Sequence, residues 1–364
     1  MVKTPWNTFM PIVNSAMKIR IKDTLVGEGQ SVFIVAELSA NHLQNFDLAV
    51  KTIKAMKISG ADAVKLQTYT ADLLTLDSDD EYFQIKQGSL WDGKTLYKLY
   101  QEAYTPWEWQ PKLKTIAEDL GLICFSTPFD KTAVDFLEEM DVAAYKVASF
   151  EITDIPLIEY IASKGKPMLI STGIAAFDDI RDAVDACRKK GNNMIALLKC
   201  TSAYPALPEE ANLLTIPDMA NTFKTLVGLS DHSLGIYVPL VAVALGAKII
   251  EKHFILDRNL GGPDAAFSLE PTEFAQMVES VRTVEKALGE VNYELNERAK
   301  KNKIFARSLF AVKDIRAGET MTEDNIRSIR PGYGLPPKQL REILGKKAKK
   351  DIRRGTPLRW DLID

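Results

Sequence analysis

Short apolar runs alternate with longer amphipathic stretches along the chain from Val32 to about Leu288. The runs are rich in β-branched residues and apolar on both faces, which is typical of strands buried in a parallel sheet. The pattern predicts eight strands, which are Phe33–Glu37, Ala63–Thr68, Leu122–Thr127, Ala144–Ser149, Pro167–Thr172, Ile195–Thr201, Leu226–Asp231 and Lys248–Phe254.

The stretches between the strands carry apolar residues at helical spacing. They predict helices over Asp47–Ser59, Trp107–Leu120, Lys131–Met140, Pro156–Lys164, Phe177–Lys190, Val238–Leu245 and Pro271–Leu288. Five glycines follow a predicted helix and precede a strand, where a left-handed residue commonly ends a helix. They are Gly60, Gly121, Gly165, Gly191 and Gly246.

Repeated strand–helix units over about 260 residues match the α/β class and the size of a (β/α)8 TIM barrel. We therefore predict a TIM-barrel catalytic domain over residues 32–290. A doubly wound open sheet is the alternative, but no G-x-G-x-x-G motif follows the first strand.

Two segments do not follow this repeat. One lies in the predicted N-terminal extension and hairpin (residues 1–31), and the other lies within the predicted barrel domain. Met17–Gln30 predicts a β-hairpin that turns at Gly27–Gly29 and closes the N-terminal mouth of the barrel. The first 16 residues lack the basic start and apolar core of a secretory signal. Thr70–Thr105 is long and rich in aromatic residues, which indicates a functional loop or an interaction surface.

The pattern changes after Leu288. A polar stretch over residues 291–304 predicts a linker, and residues 305–364 predict a small module of short strands and turns. A module of about 60 residues has a marginal core, so we expect it to pack against another surface.

The composition indicates a globular protein of a reducing compartment. The 364 residues are 46% hydrophobic and 26% charged, which excludes a disordered or collagen-like chain. The longest apolar runs fall short of the ~18 residues of a membrane span, so we expect no membrane partner. Cys124, Cys187 and Cys200 are too few and too scattered for a disulfide framework, which favours the cytoplasm.

Charge is distributed unevenly along the chain. The net charge is −3, but residues 305–364 carry +6 and the remainder carries −9. This split predicts that the basic module docks on the acidic barrel. Nucleic-acid binding requires more than a charge excess, and we expect no nucleic-acid partner.

All three histidines of the chain, His42, His232 and His253, follow or end predicted strands. Catalytic groups of a TIM barrel lie at the C-terminal ends of its strands. His232 and His253 come from neighbouring strands, so they can share one divalent metal ion in an open site. Hydrogen-bonded interior histidines are the alternative interpretation of this pair, and a role in shaping the loop is the alternative for His42.

Lysines at interior strand positions need partners, because an unpaired buried charge is costly. Lys65 and Lys146, together with strand-end hydroxyl groups, indicate a phosphate or carboxylate site. Salt bridges with Glu151 or Glu251 are the alternative. Schiff-base chemistry is a further possibility, with Lys146, Lys199 and Lys252 as its candidates; strand alternation, however, turns Lys252 outward.

The motifs at these strand ends resemble the sialic acid synthase family. They are AELSANH (36–42), VKLQT (64–68), STPFD (126–130), YKVASFE (145–151), ISTG (170–173), KCTSAYP (199–205), GLSDHS (228–233) and EKHF (251–254). The terminal module, with IRPGYG at 329–334, is similar to the antifreeze-like (SAF) domain of that family. The stretch 253–271 is most similar to the pseudaminic acid synthase branch. There Ala265, Ala266 and Phe267 follow Gly-Pro-Asp where the N-acetylneuraminate branch has a histidine, and a more apolar pocket would suit a 6-deoxy sugar.

The resemblance implies an enzyme of the nonulosonic acid synthase type. The expected reaction joins phosphoenolpyruvate, 2,4-diacetamido-2,4,6-trideoxy-L-altrose and water, and it gives pseudaminic acid and phosphate by C–O cleavage. An N-acetylneuraminate or legionaminic acid synthase is the first alternative. A Schiff-base sugar aldolase that uses pyruvate is the second. A binding protein without catalysis is the third, because the terminal module resembles an ice-binding fold; the cluster of charged strand-end residues argues against it.

The resemblance also implies roles for individual residues. His232 and His253 would hold a divalent metal, with Mn²⁺ as the first choice and Mg²⁺ or Co²⁺ as alternatives. The residues that would bind the substrates are Lys65, Gln67, Thr127, Lys146, Ser149, Ser171, Ser202, Tyr204, Ser230, Asp264 and Arg330. Of these, Ser202 and Tyr204 would lie near phosphoenolpyruvate, and the residues that would hold its phosphate and carboxylate are Lys65, Lys146, Thr127, Ser149, Ser171 and Ser230.

Three carboxyl groups would take part in the chemistry. Glu37 would help to place or activate the water or a metal-bound ligand, and Glu151 and Glu251 are the candidates for proton transfer. Asp264 would bind the acceptor sugar. Arg330, in the terminal module, would reach the N-acetyl region of the sugar. In the family this module covers the barrel of the partner subunit, which implies a domain-swapped homodimer.

Overall fold

The computed structural model of the chain describes residues 17–86, 88 and 90–364. The first 16 residues, for which the sequence predicts no secretory signal, lie outside the described residues. Within the described residues the chain forms two units, one ending at Gly289 and one running from Glu290 to Asp364. The finer predicted limits, at residues 31, 290 and 304, stay predictions.

The first unit opens with the antiparallel hairpin of β1 (Lys18–Ile21) and β2 (Thr24–Gly27). The hairpin turns at Lys22–Asp23, so the predicted turn at Gly27–Gly29 is wrong. Lys22 takes the left-handed conformation (φ 53°) that we expected of a glycine. Apolar side chains of the hairpin pack against the first residues of the barrel strands and close that end of the barrel, as expected from the sequence.

Eight parallel strands form a closed barrel, which confirms the predicted TIM-barrel fold and excludes the doubly wound sheet. The strands are β3 (Phe33–Glu37), β4 (Ala63–Thr68), β5 (Ile123–Pro128), β6 (Tyr145–Val147), β7 (Met168–Ser171), β8 (Ile195–Cys200), β9 (Leu226–Asp231) and β10 (Ile249–His253). They follow chain order around the barrel, and β10 pairs with β3 to close it.

Alternate residues of each strand face inward and outward. Phe33 and Val35 belong to the cluster inside the barrel, whereas Ile34 and Ala36 belong to the cluster beneath the helices. The interior is therefore apolar at the N-terminal half of the strands, and the charged side chains are confined to the C-terminal half. Lys252 points outward, as predicted, and forms a buried ion pair with Asp231.

Helices connect the strands, and most of them cover the outside of the barrel. They are α1 (Phe46–Ile58), α2 (Ala71–Leu74), α3 (Leu96–Ala103), α4 (Gln110–Asp119), α5 (Lys131–Glu139), α6 (Ile155–Ala162), α7 (Phe177–Lys189), α8 (Thr215–Phe223), α9 (Tyr237–Ala244) and α10 (Pro271–Leu288). The seven predicted helices are all present, with small shifts at their ends. The five predicted C-terminal glycines all have positive φ, between 71° and 103°.

Three helices of the first unit have no counterpart in the prediction. The helix α8 has no glycine at its C-terminal end, where Lys224 takes the left-handed conformation instead (φ 52°). Pro217 also lies in the first turn of α8. Both features weakened the helical pattern. The other two, α2 and α3, lie within the aromatic-rich segment 70–105, where the pattern had indicated only a loop.

The second unit has its own apolar core. It contains α11 (Glu297–Asn302), the antiparallel pair β11 (Ser308–Ala311) and β12 (Ile326–Ile329), and α12 (Leu340–Ile343). Its buried residues include Leu309, Met321 and Leu358. Among the described residues of both units, no helix is long and apolar enough to cross a membrane.

His42 fixes the loop that leads from β3 to α1. Its ring is fully buried, with Nδ1 accepting a hydrogen bond from the Gln44 amide (3.1 Å) and Nε2 3.2 Å from the Thr105 hydroxyl. Its edge also meets the ring of Trp109. Because Nδ1 accepts, the ring must be neutral, and burial lowers the pKa of His42 to about 4. His42 therefore has the loop-shaping role that the sequence left open.

We expect His42 to make the fold sensitive to acid. Its folded-state pKa is depressed, so its full contribution is present above the ordinary pKa of 6.5 and is lost as the pH falls toward 4. The loss should amount to a few kcal/mol of unfolding free energy. Urea titrations at pH 7 and pH 5 measure it, with His42→Gln as the comparison. An equal fall in stability in the wild type and the variant would contradict this assignment.

Candidate active site

The C-terminal ends of the barrel strands surround a cavity of about 420 Å³. Most of the predicted site residues meet there. Those that line the cavity are Glu37, Lys65, Gln67, Lys146, Ser149, Glu151, Ser171, Tyr204, Ser230, His232, Glu251, His253 and Asp264. Side chains from all strands except β5 reach it because consecutive strands of a parallel barrel end at the same face.

A buried network of ion pairs forms the floor of the cavity. Lys65 Nζ lies 2.9 Å from Glu37 Oε2 and 2.8 Å from Glu251 Oε1, and Lys146 Nζ lies 3.2 Å from the same Glu251 atom. The salt-bridge alternative is therefore realised for both lysines, although through Glu37 and Glu251 rather than Glu151. Ser230 also donates to Glu251 Oε1, while Glu251 Oε2 has no hydrogen-bond partner.

The network keeps two carboxylates ionised. Burial alone would raise the pKa of Glu37, but the charges of His253, Lys65 and Lys146 outweigh it and hold this pKa far below its ordinary value. The pKa of Glu251 is lowered in the same way, because Lys146 and Lys65 outweigh its burial. The pKa of Lys65 is raised because its two carboxylate partners outweigh burial, whereas burial prevails at Lys146 and lowers its pKa.

Glu151 differs from the other two carboxyl groups. Burial raises its pKa to about 7, and the charge of Lys146 offsets this only in part. Its Oε2 atom is buried and has no hydrogen-bond partner. At neutral pH this carboxyl group therefore exists in both protonation states, which is the property of a proton donor or acceptor.

Several strand-end hydroxyl groups have no partner in the protein. The buried oxygens of Thr127, Ser171 and Ser202 are all unpaired, and of the three only Ser171 lines the cavity. Ser149 is paired, since it accepts a hydrogen bond from the Gly173 amide at 3.0 Å. Unpaired buried hydroxyl groups call for a further partner, such as a water molecule or an anionic ligand.

The two predicted metal-binding histidines lie side by side at the cavity, with ring centroids 5.3 Å apart. His232 Nδ1 faces the Thr201 carbonyl oxygen at 3.0 Å and the Cys200 thiol at 3.8 Å. His253 Nε2 lies 3.2 Å from Glu37 Oε2, and its Nδ1 is buried without a hydrogen-bond partner, 3.9 Å from Asp264 Oδ2.

These donors fit an open divalent site rather than a closed one. Over residues 17–86, 88 and 90–364 no three His, Cys, Asp or Glu side chains are grouped as ligands of one ion. Burial lowers the pKa of His253, although the nearby Glu37 and Asp264 oppose this effect. A lower pKa favours the unprotonated ring, which is the form that binds a metal. Burial alone would lower the pKa of His232 as well, but the hydrogen bond and the charge of Cys200 outweigh burial and raise this pKa. The remaining ligands would have to come from water or substrate.

The geometry separates the three Schiff-base candidates. Of these lysines only Lys146 lines the cavity. Lys199 donates to the Cys200 carbonyl oxygen, and Lys252 pairs with Asp231 outside the barrel. Arg330 lies in the second unit, exposed and directly after β12, and its predicted contact with a sugar stays a prediction.

Ser39 and Cys200 are lining residues that the sequence interpretation missed. Ser39 accepts a hydrogen bond from Gln67, donates to the Asp264 carboxylate and has φ 48°, an uncommon backbone for serine. Cys200, one of three buried free cysteines, also faces the cavity, and its pairing with His232 outweighs burial and lowers its pKa to about 7. Its position on a strand end was the available signal.

The apolar side of the cavity was also missed. It comes from the segment that carries α2 and α3, through Leu74, Ile85, Trp91, Leu96, Leu99, Tyr100 and Ala103. Leu96, Leu99 and Ala103 follow helical spacing after the N-cap Thr95, a signal that could have revealed this helix. In contrast, Phe267 packs behind Tyr204, His232 and His253, and it does not line the cavity as the sequence comparison had implied.

Comparisons with known proteins cover both units. The profile of the NeuB family matches residues 52–293, and that of the SAF domain matches residues 306–364. The pseudaminic acid synthase of Campylobacter jejuni subsp. jejuni serotype O:23/36 (strain 81-176) is 49% identical over 330 residues, which are 91% of this chain and 96% of that protein. The pseudaminic acid synthase of Helicobacter pylori (strain ATCC 700392 / 26695) is 48% identical over 332 residues, which are 91% of this chain and 97% of that protein.

A solved structure agrees with the fold. The crystal structure of N-acetylneuraminic acid (sialic acid) synthetase from Leptospira borgpetersenii serovar Hardjo-bovis, in complex with citrate, superposes with a TM-score of 0.71 at 31% identity. The match covers 79% of this chain and 95% of that one. The resemblance inferred from the strand-end motifs is thereby confirmed, and the chain belongs to the NeuB family, with a SAF domain at its C-terminus.

Proposed function

We propose that this chain condenses phosphoenolpyruvate with 2,4-diacetamido-2,4,6-trideoxy-L-altrose and water, giving pseudaminic acid and phosphate. The observation that carries the proposal is the cavity in which two buried lysines, two histidines and a carboxyl group of pKa about 7 face one another. The similarity of the chain to two pseudaminic acid synthases, at 48–49% identity, supports the choice of acceptor.

Lys65 and Lys146 provide the positive end of the site, where the phosphate and carboxylate of phosphoenolpyruvate would bind. An ammonium group has three donors, so Lys146, with its one ion pair to Glu251, keeps donors for a ligand. The unpaired Ser171 hydroxyl, which lines the cavity, can donate to the same anion. Thr127 and Ser202 also have unpaired hydroxyl oxygens and are further candidates for this role.

His232 and His253 are the residues that would hold a divalent metal, for which Mn²⁺ is our first choice and Mg²⁺ or Co²⁺ the alternatives. When bound, such an ion supplies Lewis-acid polarisation of the aldehyde oxygen of the open-chain sugar. Glu37 fixes the orientation of His253 through its contact with Nε2, and Asp264 lies close to the other ring nitrogen.

Glu151 is the carboxyl group that we assign to proton transfer. The new carbon–carbon bond leaves charge on the former aldehyde oxygen, which must take up a proton, while the water that adds at C2 must lose one. Glu37 and Glu251 are held ionised by the lysines, so neither can donate a proton near neutral pH. Glu151 can both hold and release one.

We further propose that the chain acts in the cytoplasm as a domain-swapped homodimer in which Arg330 reaches the acceptor sugar. Free buried cysteines suit a reducing compartment, and the opposite net charges of the two sequence regions favour docking of the terminal module on a barrel.

A phosphate-release assay tests the reaction. Purified chain with Mn²⁺ and phosphoenolpyruvate should release phosphate when the diacetamido-trideoxy sugar is added, and mass spectrometry and NMR should identify the nonulosonic acid. N-acetylmannosamine serves as the competing acceptor; if it proved the better substrate, the proposed acceptor would be wrong. A stable borohydride-trapped adduct of pyruvate on Lys146 would instead favour the aldolase.

Replacing either metal-binding histidine should remove the metal dependence. For His232→Ala and His253→Ala we expect activity to fall by at least about a hundredfold, because each residue supplies one of only two imidazole ligands. Calorimetric titration with Mn²⁺ should show the same loss of binding, and circular dichroism should show an intact barrel. The His42→Gln variant, measured at pH 7, is the matched control outside the cavity. Wild-type Mn²⁺ affinity in both alanine variants would refute the assignment.

Glu151 should determine how the reaction responds to alkaline pH. Its pKa of about 7 means that the protonated fraction falls tenfold for each pH unit above that value, and kcat/KM should fall with it. Glu151→Gln should lower kcat by about 10²–10⁴-fold and flatten this limb of the profile. Persistence of the same limb in the Gln variant would show that another group donates the proton.

A further inference from the structure

One side of the cavity is an apolar wall formed by Leu74, Ile85, Leu96, Leu99 and Ala103. All five residues come from the segment between β4 and β5, and none belongs to the barrel strands. The wall faces the same cavity as the charged floor of Lys65, Glu37 and Glu251. The cavity is therefore amphipathic, polar at its base and apolar along this side.

The wall lies outside the apolar cores, and its residues are buried or, at Leu74 and Leu96, half-buried. Ile85 and Leu99 are only 8% and 7% exposed. None of the five residues belongs to the three apolar clusters that make up the cores of the described chain. A ligand with apolar groups would bury the surface that these side chains present to the cavity.

The local sequence of α3 produces this arrangement. Thr95 caps the helix by accepting a hydrogen bond from the Lys98 amide. Leu96, Leu99 and Ala103 then fall on one face, which lines the cavity, while Glu102 on the outer face pairs with Lys94. An amphipathic helix normally buries its apolar face in a core, whereas this one presents it to the cavity.

We propose that the apolar wall binds the methyl-bearing end of the acceptor sugar and is the part of the site that selects a 6-deoxy acceptor. The proposal rests on the proposed function. The aldehyde end of the sugar must lie at the polar base, beside the histidines and the phosphoenolpyruvate site. The opposite end of the open chain, with its C6 methyl group, then meets the wall. A hydroxyl group at C6 would lose its hydration there without gaining a partner.

Adjacent residues of α2 provide a matched pair of variants. Leu74 lines the cavity, whereas Leu73 is 37% exposed and does not. Leu74→Asn and Leu73→Asn introduce the same chemical change one residue apart. Leu96→Asn repeats the test independently on α3. Each variant is assayed with the 6-deoxy acceptor and with its 6-hydroxy counterpart, 2,4-diacetamido-2,4-dideoxy-L-altrose, and thermal unfolding verifies that it is folded.

For Leu74→Asn and Leu96→Asn we expect the preference for the 6-deoxy acceptor, as the ratio of the two kcat/KM values, to fall about tenfold. The KM for phosphoenolpyruvate should change less than about twofold, because that substrate binds at the floor. Leu73→Asn should match the wild type in both respects. An unchanged preference in both cavity variants would overturn the wall proposal, whereas absence of phosphate release by the wild type with every acceptor would overturn the proposed function itself.

Discussion

The ion network around Lys65 is the interaction on which the rest of the site depends. Lys65 on β4 contacts Glu37 on β3 and Glu251 on β10, and β3 and β10 are the two strands that close the barrel. Desolvating three charges is costly unless each is paired. The three groups can pair only when β3 and β10 lie side by side in the closed barrel. The charged floor of the cavity and the closure of the barrel therefore depend on one another.

The same network divides the work among chemically similar residues. Glu37 and Glu251 lie beside ammonium groups and stay ionised, while Glu151 is buried with little compensation and titrates near neutrality. Lys65 is held charged by two carboxylates, whereas burial destabilises the charge of Lys146. Environment rather than residue type therefore decides which carboxyl group stays ionised and which one titrates near neutral pH.

Two kinds of element build the cavity. The barrel strands supply the polar floor, which suits the reaction shared by a family of synthases. The segment between β4 and β5 supplies the apolar wall, and Phe267 contributes only from behind the histidines. In the function that we propose, the reaction and the selection of the acceptor therefore belong to separate parts of the chain.

The sequence by itself determined the barrel, because strand periodicity, buried apolar runs and the glycines after the helices are local signals repeated in each unit. It also placed Glu37, His232 and His253 at one face, since the ends of parallel strands must converge. It could not reveal which lysine pairs with which carboxylate, that Ser39 borders the cavity, or that the apolar face of α3 turns toward the cavity. Ion pairing, burial and the direction of a helix face depend on neighbours that are distant in the chain, as Lys65 and Glu251 are, and only the folded structure brings them together.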